Sequence, residues 1–185
     1  MKVAHAPSAS TAPAAPAGAA PAGHGTITVS GVGTSDLHGH VLSAKGKGGL
    51  DLLAGYLSNL RAARARDSGA VVLVDAGDMF QGTLESNLGE GQVVVEMYNA
   101  LGYTAATLGN HEFDFGPVGT ATTPEKPGDD PRGALAARVG QTAFPIVSAN
   151  IVDAKSGAPL AMKNLAPSAL VEVGGVKVGL VGVAT

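Results

Sequence analysis

Three short polar clusters in this sequence combine imidazole, carboxylate and amide groups, which supply the nitrogen and oxygen ligands of many protein metal sites. Each cluster alone also fits an ordinary polar turn. They follow one another at intervals of about 40 and 30 residues, each after an apolar segment. Occurring together, they predict that their side chains contribute to one shared site. The clusters are Asp36-Leu-His38, Gly77-Asp78 and Gly109-Asn110-His111-Glu112.

The first two clusters offer carboxylates where a metal site could form. In an extended segment, residues two apart point to the same side, so Asp36 and His38 could bind one ion together. Asp78 follows the apolar run at residues 71–74, and the small Gly77 beside it would let an ion or a phosphate approach closely. We therefore expect metal ligands from both clusters.

The third cluster adds a different kind of chemistry. The amide oxygen of Asn110 is a neutral ligand that brings no charge to a metal. The adjacent His111 can project toward a substrate instead of the metal. Asp114 lies three residues after His111 and could orient its imidazole and hold it protonated.

Composition limits the possible chemistry. The 185 residues include no cysteine, so disulfides and thiolate metal sites are excluded. The formal net charge of −3 argues against binding DNA or RNA by bulk electrostatics. No run approaches the roughly 20 apolar residues that a membrane-spanning helix needs. With 45% hydrophobic residues, the chain can nevertheless bury a core.

The elements that must position these clusters alternate between strand-like and helix-like patterns, which favours a largely parallel, layered α/β sheet. Each cluster follows a predicted strand, and ligands bind at the carboxyl ends of such strands, so the clusters should converge. We predict strands at residues 26–32, 71–74, 103–108 and 145–151, helices at 49–66, 92–101 and 132–139, a long loop at 117–131, and a hairpin within 169–183 that turns at Gly174-Gly175.

The two ends of the chain differ from its middle. Residues 1–25 are rich in Ala and Pro and predict a disordered leader with no intact signal peptide. His5 and His24 lie in this leader and are interpreted as incidental. The chain stops directly after a strand-like run, which we interpret as truncation of a longer protein.

In their order and spacing, the three clusters resemble the calcineurin-like metallophosphoesterases. Four segments are similar to the 5′-nucleotidase branch in particular. The resemblance implies that residues 26–185 are the N-terminal portion of a layered metallophosphoesterase-type α/β sandwich, here truncated. The four segments are DAGDMFQGT at residues 75–83, LGNHEFDFG at 108–116, SANI at 148–151 and VGLVGVAT at 178–185.

The resemblance also implies a role for seven residues. His40, which lies beside the first cluster, is instead expected to have a supporting or solvent-facing role. The implied roles are ligands of the first metal (Asp36, His38), a carboxylate bridging both metals (Asp78), a ligand of the second metal (Asn110), the catalytic histidine that meets the phosphate (His111), its partner (Asp114) and a residue that supports the loop (Glu112).

The activity implied by the resemblance is hydrolysis of phosphate esters, most of all nucleoside 5′-monophosphates. It would use a hydroxide bridging two divalent ions, with Zn, Mn, Fe and Co all compatible with the ligand set. Related enzymes could instead cleave 2′,3′-cyclic nucleotides, nucleotide sugars or a sulfur-linked group. The family's nucleotidases and the leader indicate a periplasmic or secreted protein.

The sequence departs from the family pattern in its second half. The family's remaining ligands are a lone histidine and a Gly-His-x-His motif, but no histidine follows His111. The second metal would then keep only Asp78 and Asn110. This departure predicts that the chain alone is inactive, or is a binding module that keeps a partial metal or phosphate site without turnover.

Overall fold

The computed structural model describes residues 26–184. Five short parallel strands form one sheet, and their order across the sheet follows their order in the sequence. Helices pack against this sheet, so the predicted layered α/β architecture is confirmed. The predicted leader, with His5 and His24, lies outside the described residues. The strands are β1 (Val29–Thr34), β2 (Ala70–Asp75), β3 (Ala105–Ala106), β4 (Ile146–Val147) and β5 (Leu165–Ala166).

The strands β3 and β4 are shorter than their apolar runs predicted. Backbone hydrogen bonds still continue past the ends of β3, from Thr104 N–H to Leu73 O and from Thr107 N–H to Asp75 O. The chain is therefore held beside β2 over a longer stretch than the two residues of β3. Pro145 has no N–H to donate at the start of β4. The strand β5 is two half-buried residues, too short for a pattern to reveal.

Three helices cover the sheet and form the core with it. They are α1 (Leu50–Arg66), α3 (Gln92–Leu101) and α4 (Gly133–Gln141), and all three were predicted to within two residues at each end. The one-turn helix α2 (Leu84–Asn87) was missed, since four residues carry no periodicity. The side chains buried between these layers include Leu57, Leu73, Val94, Tyr98 and Ile146.

A two-stranded antiparallel hairpin follows the sheet. It consists of β6 (Ser168–Val173) and β7 (Val176–Val181) and turns at Gly174-Gly175, as predicted. Both glycines have positive φ angles, of 59° and 78°, which glycine adopts without steric cost. The predicted loop at residues 117–131 contains no helix or strand. Between residues 26 and 184, no helix is long and apolar enough to cross a membrane.

Candidate metal centre

The loops that follow β1 and β2 are joined through their backbones. Three N–H groups of the first loop donate to three carbonyl oxygens of the second. These bonds bring the first two clusters side by side at the carboxyl end of the sheet. The donors Asp36, His38 and Gly39 reach the oxygens of Gly77, Asp78 and Met79 over 3.0, 2.9 and 2.9 Å.

The backbone of these loops is left-handed at three expected ligands. The φ angles are 52° for Asp36, 46° for His38 and 57° for Asp78. The prediction that Asp36 and His38 lie in an extended segment is therefore wrong, and the alternation of an extended chain does not direct their side chains. Such conformations cost of order 1–3 kcal/mol each and persist where the surroundings fix them. Here the inter-loop hydrogen bonds do so.

Two glycines let the second and third clusters touch. A Cβ atom on Gly77 would overlap the backbone nitrogen of Gly109, and a Cβ on Gly109 would overlap the Asp78 carboxylate. Gly77 therefore makes room for the backbone of Gly109; its expected role in letting an ion or a phosphate approach stays a prediction.

Three side chains converge as potential metal ligands. One ligand atom from each of His38, Asp78 and His111 lies within 4.8 Å of the other two. The Nδ1 atom of His38 lies 2.9 Å from the Gln81 carbonyl oxygen, which fixes the ring and leaves Nε2 free. The backbone N–H of His111 donates to Asp78 Oδ1 over 3.0 Å. Two imidazoles and one carboxylate are a donor set that suits a divalent transition metal.

The imidazole of His111 is also paired with Asp114. Its Nδ1 lies 2.6 Å from Asp114 Oδ2, and both side chains are partly exposed. The hydrogen bond to Asp114 raises the pKa of His111, with further help from the negative charge of Asp78. The pairing therefore favours the protonated imidazolium.

The carboxylate of Glu112 is buried beneath the site and accepts four backbone hydrogen bonds. Its Oε2 accepts from Asp78 N–H (2.8 Å) and Gly109 N–H (2.6 Å). Its Oε1 accepts from Met79 N–H (2.6 Å) and Phe80 N–H (3.2 Å). Burial raises the pKa of Glu112, while these four donors oppose the shift. One side chain thus ties the second cluster to the third.

The remaining expected residues lie at the surface of the site. Asp36 is exposed and is not a member of the converging group, although its backbone is bonded to Gly77. Asn110 is exposed and precedes a single 3₁₀ turn, His111–Phe113. His40 is exposed and lines a separate cavity of about 220 Å³ beside α2.

Sequence reasoning missed a buried polar network under the second cluster. Asp75 is 3% exposed and accepts from the hydroxyls of Thr34 (2.5 Å) and Tyr98 (2.8 Å) and from Gly77 N–H (2.8 Å). Burial raises the pKa of Asp75. The available signal was a carboxylate closing a strand that is otherwise wholly apolar.

Comparison with known proteins gives a family and several relatives. The model of the calcineurin-like phosphoesterase family matches residues 32–153. A snake venom 5′-nucleotidase from Gloydius brevicauda is 38% identical over 69% of this chain, and the Bos taurus 5′-nucleotidase is 38% identical over 73% of it. The chain spans only 19% and 20% of the lengths of these relatives.

A solved structure is similar over most of the chain. The 5′-nucleotidase precursor of Thermus thermophilus is 36% identical and superimposes with a TM-score of 0.63. The match covers 84% of this chain and 28% of that one.

Proposed function

The chain belongs to the calcineurin-like phosphoesterase family, and from that membership we propose that it supplies the N-terminal portion of a two-metal active site that hydrolyses nucleoside 5′-monophosphates. The observation that carries this proposal is the convergence of His38, Asp78 and His111 within 4.8 Å. In this proposal, residues 26–185 are one part of a catalytic domain whose other ligands come from elsewhere in the full-length protein.

We assign Asp36 and His38 to one divalent ion, Asp78 to both ions and Asn110 to the second. The nitrogen and oxygen donors fit such ions, and the hydrogen bond from His38 Nδ1 to Gln81 O leaves Nε2 available. When bound, the ions would neutralise phosphate charge and lower the pKa of a water nucleophile. Zn, Mn, Fe and Co remain the candidates.

His111 is proposed to act on the phosphate. Its pKa is raised by Asp114, which favours the protonated ring that a hydrogen bond to a phosphate oxygen requires. The imidazolium would donate a hydrogen bond to a phosphate oxygen and pass a proton to the leaving oxygen of the ester. Asp114 holds the ring from the opposite side, and Glu112 keeps the loop in register with Asp78.

The substrate class is proposed from the relatives. Both sequence relatives and the solved structure are named as 5′-nucleotidases, at 36–38% identity. The other substrates that this metal core could serve are 2′,3′-cyclic nucleotides, nucleotide sugars and sulfur-linked groups. A purified panel of these compounds would distinguish them.

A second candidate function is metal or phosphate binding without turnover by this chain alone. Among the described residues, only one group of three His, Asp or Glu ligands converges. One ion could be held there, whereas Asp78 and Asn110 alone are too few for another. Calorimetric titration of this chain with Mn²⁺ should then give one ion per chain, and two tightly bound ions would contradict this reading.

The site of action is proposed to be outside the cytoplasm. One relative is named as a venom protein and another as a precursor. Fractionation of the native host followed by immunoblotting would test this. Recovery of the protein only with cytoplasmic markers would contradict it.

The decisive experiment is phosphate release from AMP by the full-length gene product with Mn²⁺ present. We expect Asp78→Asn to lose most of the activity, because the proposed bridging carboxylate becomes a neutral amide. The matched control is Asp153→Asn, a partly exposed aspartate that accepts hydrogen bonds within a distant turn. Full activity in Asp78→Asn would refute the two-metal proposal.

A further inference from the structure

Asp75 occupies a position that links the core of the protein to the turn carrying Asp78. It is the last residue of β2, and its Oδ1 accepts a hydrogen bond from Gly77 N–H over 2.8 Å. An aspartate that binds the backbone two residues ahead shapes a tight turn. The next residue after that turn is Asp78, whose backbone is left-handed.

The other oxygen of Asp75 faces the protein interior. Its Oδ2 accepts from Thr34 Oγ1 (2.5 Å) and from the hydroxyl of Tyr98 (2.8 Å). The Tyr103 hydroxyl lies 2.8 Å from the same Thr34 oxygen, and its ring stacks on Tyr98 with centroids 3.9 Å apart. Strand β1 and helix α3 therefore hold the carboxylate directly, and Tyr103, which precedes β3, holds Thr34 and Tyr98 in place.

Gly77, two residues after Asp75, contacts residues of all three clusters through its backbone. Gly77 donates its N–H to Asp75, accepts the N–H of Asp36 through its carbonyl oxygen, and packs against the backbone of Gly109 where a side chain would be. A change in the backbone conformation at Gly77 would therefore move the first and third clusters together with Asp78.

From this arrangement we propose that Asp75 is a positioning residue. The network of Thr34, Tyr98 and Tyr103 holds its carboxylate in place, and the carboxylate in turn holds the metal-binding turn through Gly77. Asp75 would touch neither metal nor substrate. The inference rests on the proposed function, because the turn that Asp75 holds carries Asp78, the proposed bridging carboxylate. Residues that orient metal ligands affect affinity without binding the metal themselves.

The test measures the Mn²⁺ dissociation constant of the full-length protein by calorimetry, at a temperature where circular dichroism shows each variant to be folded. Asp75→Ala removes the acceptor of three donors and should weaken binding about tenfold or more. Asp75→Asn keeps one oxygen and should restore part of the affinity. If Asp75→Ala does not fold, Asp75→Asn alone should still bind measurably more weakly than the wild type.

Two further variants separate positioning from general stability. Tyr98→Phe removes one donor and leaves the contact with Gly77, so it should weaken binding only about two- to threefold. Val94→Ala removes fully buried methyl groups from the same helix and lies outside the network, so it should lower the melting temperature without changing the affinity. Wild-type affinity in folded Asp75→Asn, or an equal loss in Val94→Ala, would overturn the proposal.

A measurement without metal keeps this inference distinct from the proposed function. If the wild type binds neither Mn²⁺ nor Zn²⁺, Fe²⁺ or Co²⁺, the proposed function fails, and amide NMR then decides the role of Asp75. The resonances of Gly77, Asp78 and His111 should shift in Asp75→Asn and stay unchanged in Val94→Ala. Unchanged resonances in Asp75→Asn would overturn the positioning role.

Discussion

Replacing Glu112 with glutamine should destabilise the fold by an amount that the structure allows us to estimate. The change keeps the shape of the side chain but turns one of its two oxygens into an NH₂ donor. In the wild-type protein each carboxylate oxygen accepts two backbone N–H groups. In the variant, either orientation of the amide therefore leaves two of these four N–H groups facing the NH₂ donor. The carboxylate is 1% exposed, and water cannot replace the lost acceptor.

The expected cost follows from the two unpaired groups. A buried donor that loses its partner costs about 1–3 kcal/mol, so Glu112→Gln should lower the free energy of unfolding by roughly 2–6 kcal/mol. This loss is a large part of the free energy of unfolding of a typical domain, which is about 5–15 kcal/mol. The change should also loosen the attachment of the Asp78 turn to the Gly109 loop and weaken metal binding.

Urea unfolding followed by far-ultraviolet circular dichroism measures this cost. The matched control is Glu172→Gln on the exposed side of β6, which should change the free energy of unfolding by no more than about 0.5 kcal/mol. A loss below about 1 kcal/mol in Glu112→Gln would refute the reasoning, because one unsatisfied buried donor already costs that much.

Three further results are expected. Gly109→Ala should lower the free energy of unfolding by more than about 1 kcal/mol, because the added Cβ would overlap the Asp78 carboxylate. A Cβ at Gly179 meets no atom within 4 Å, so Gly179→Ala should be tolerated, and equal urea midpoints for the two variants would contradict this. Asp114→Asn should lower the pKa of His111 in an NMR titration of the metal-free protein, since Asp114 is the main cause of its raised value. Because the pKa of His111 is higher in the folded than in the unfolded protein, its protonation stabilises the fold fully at pH values below the pKa of the unfolded state. This stabilisation should be lost as the pH rises through the pKa of the folded state. An unchanged pKa of His111 in Asp114→Asn would refute the pairing. Mn²⁺ at 100 times its dissociation constant should stabilise the wild type by about 2.7 kcal/mol in thermal melts and Asp78→Asn by less; an equal shift in both would exclude Asp78 as a ligand.

Elements with a long pattern and clear ends were predictable from the sequence. Both ends of the helix Gln92–Leu101 were predicted correctly. Its apolar pattern lies between Gly91 and Gly102, which both adopt left-handed conformations. The turn of the hairpin at Gly174-Gly175 was equally clear. The short strands β3 and β4 were not, because their limits depend on which partners the neighbouring strands offer.

The meeting of the three clusters was predictable from the sequence, whereas their local geometry was not. The three clusters do meet at the carboxyl end of the sheet, as the order of strands and loops indicated. The left-handed backbone of Asp36 and His38 depends on hydrogen bonds to residues about 40 positions away, and no local pattern reports such contacts. The network around Asp75 was invisible for the same reason, since Thr34 and Tyr98 are distant in sequence.

The left-handed backbone at Asp36, His38 and Asp78 also restricts which amino acids can evolve there. Among residues other than glycine, asparagine, aspartate and histidine enter this region most readily, and all three can bind metals. Selection for folding alone would therefore keep potential ligands at these positions. A saturation library screened only for soluble folded protein should already be enriched in them, so a new metal preference could arise here by few and well-tolerated steps.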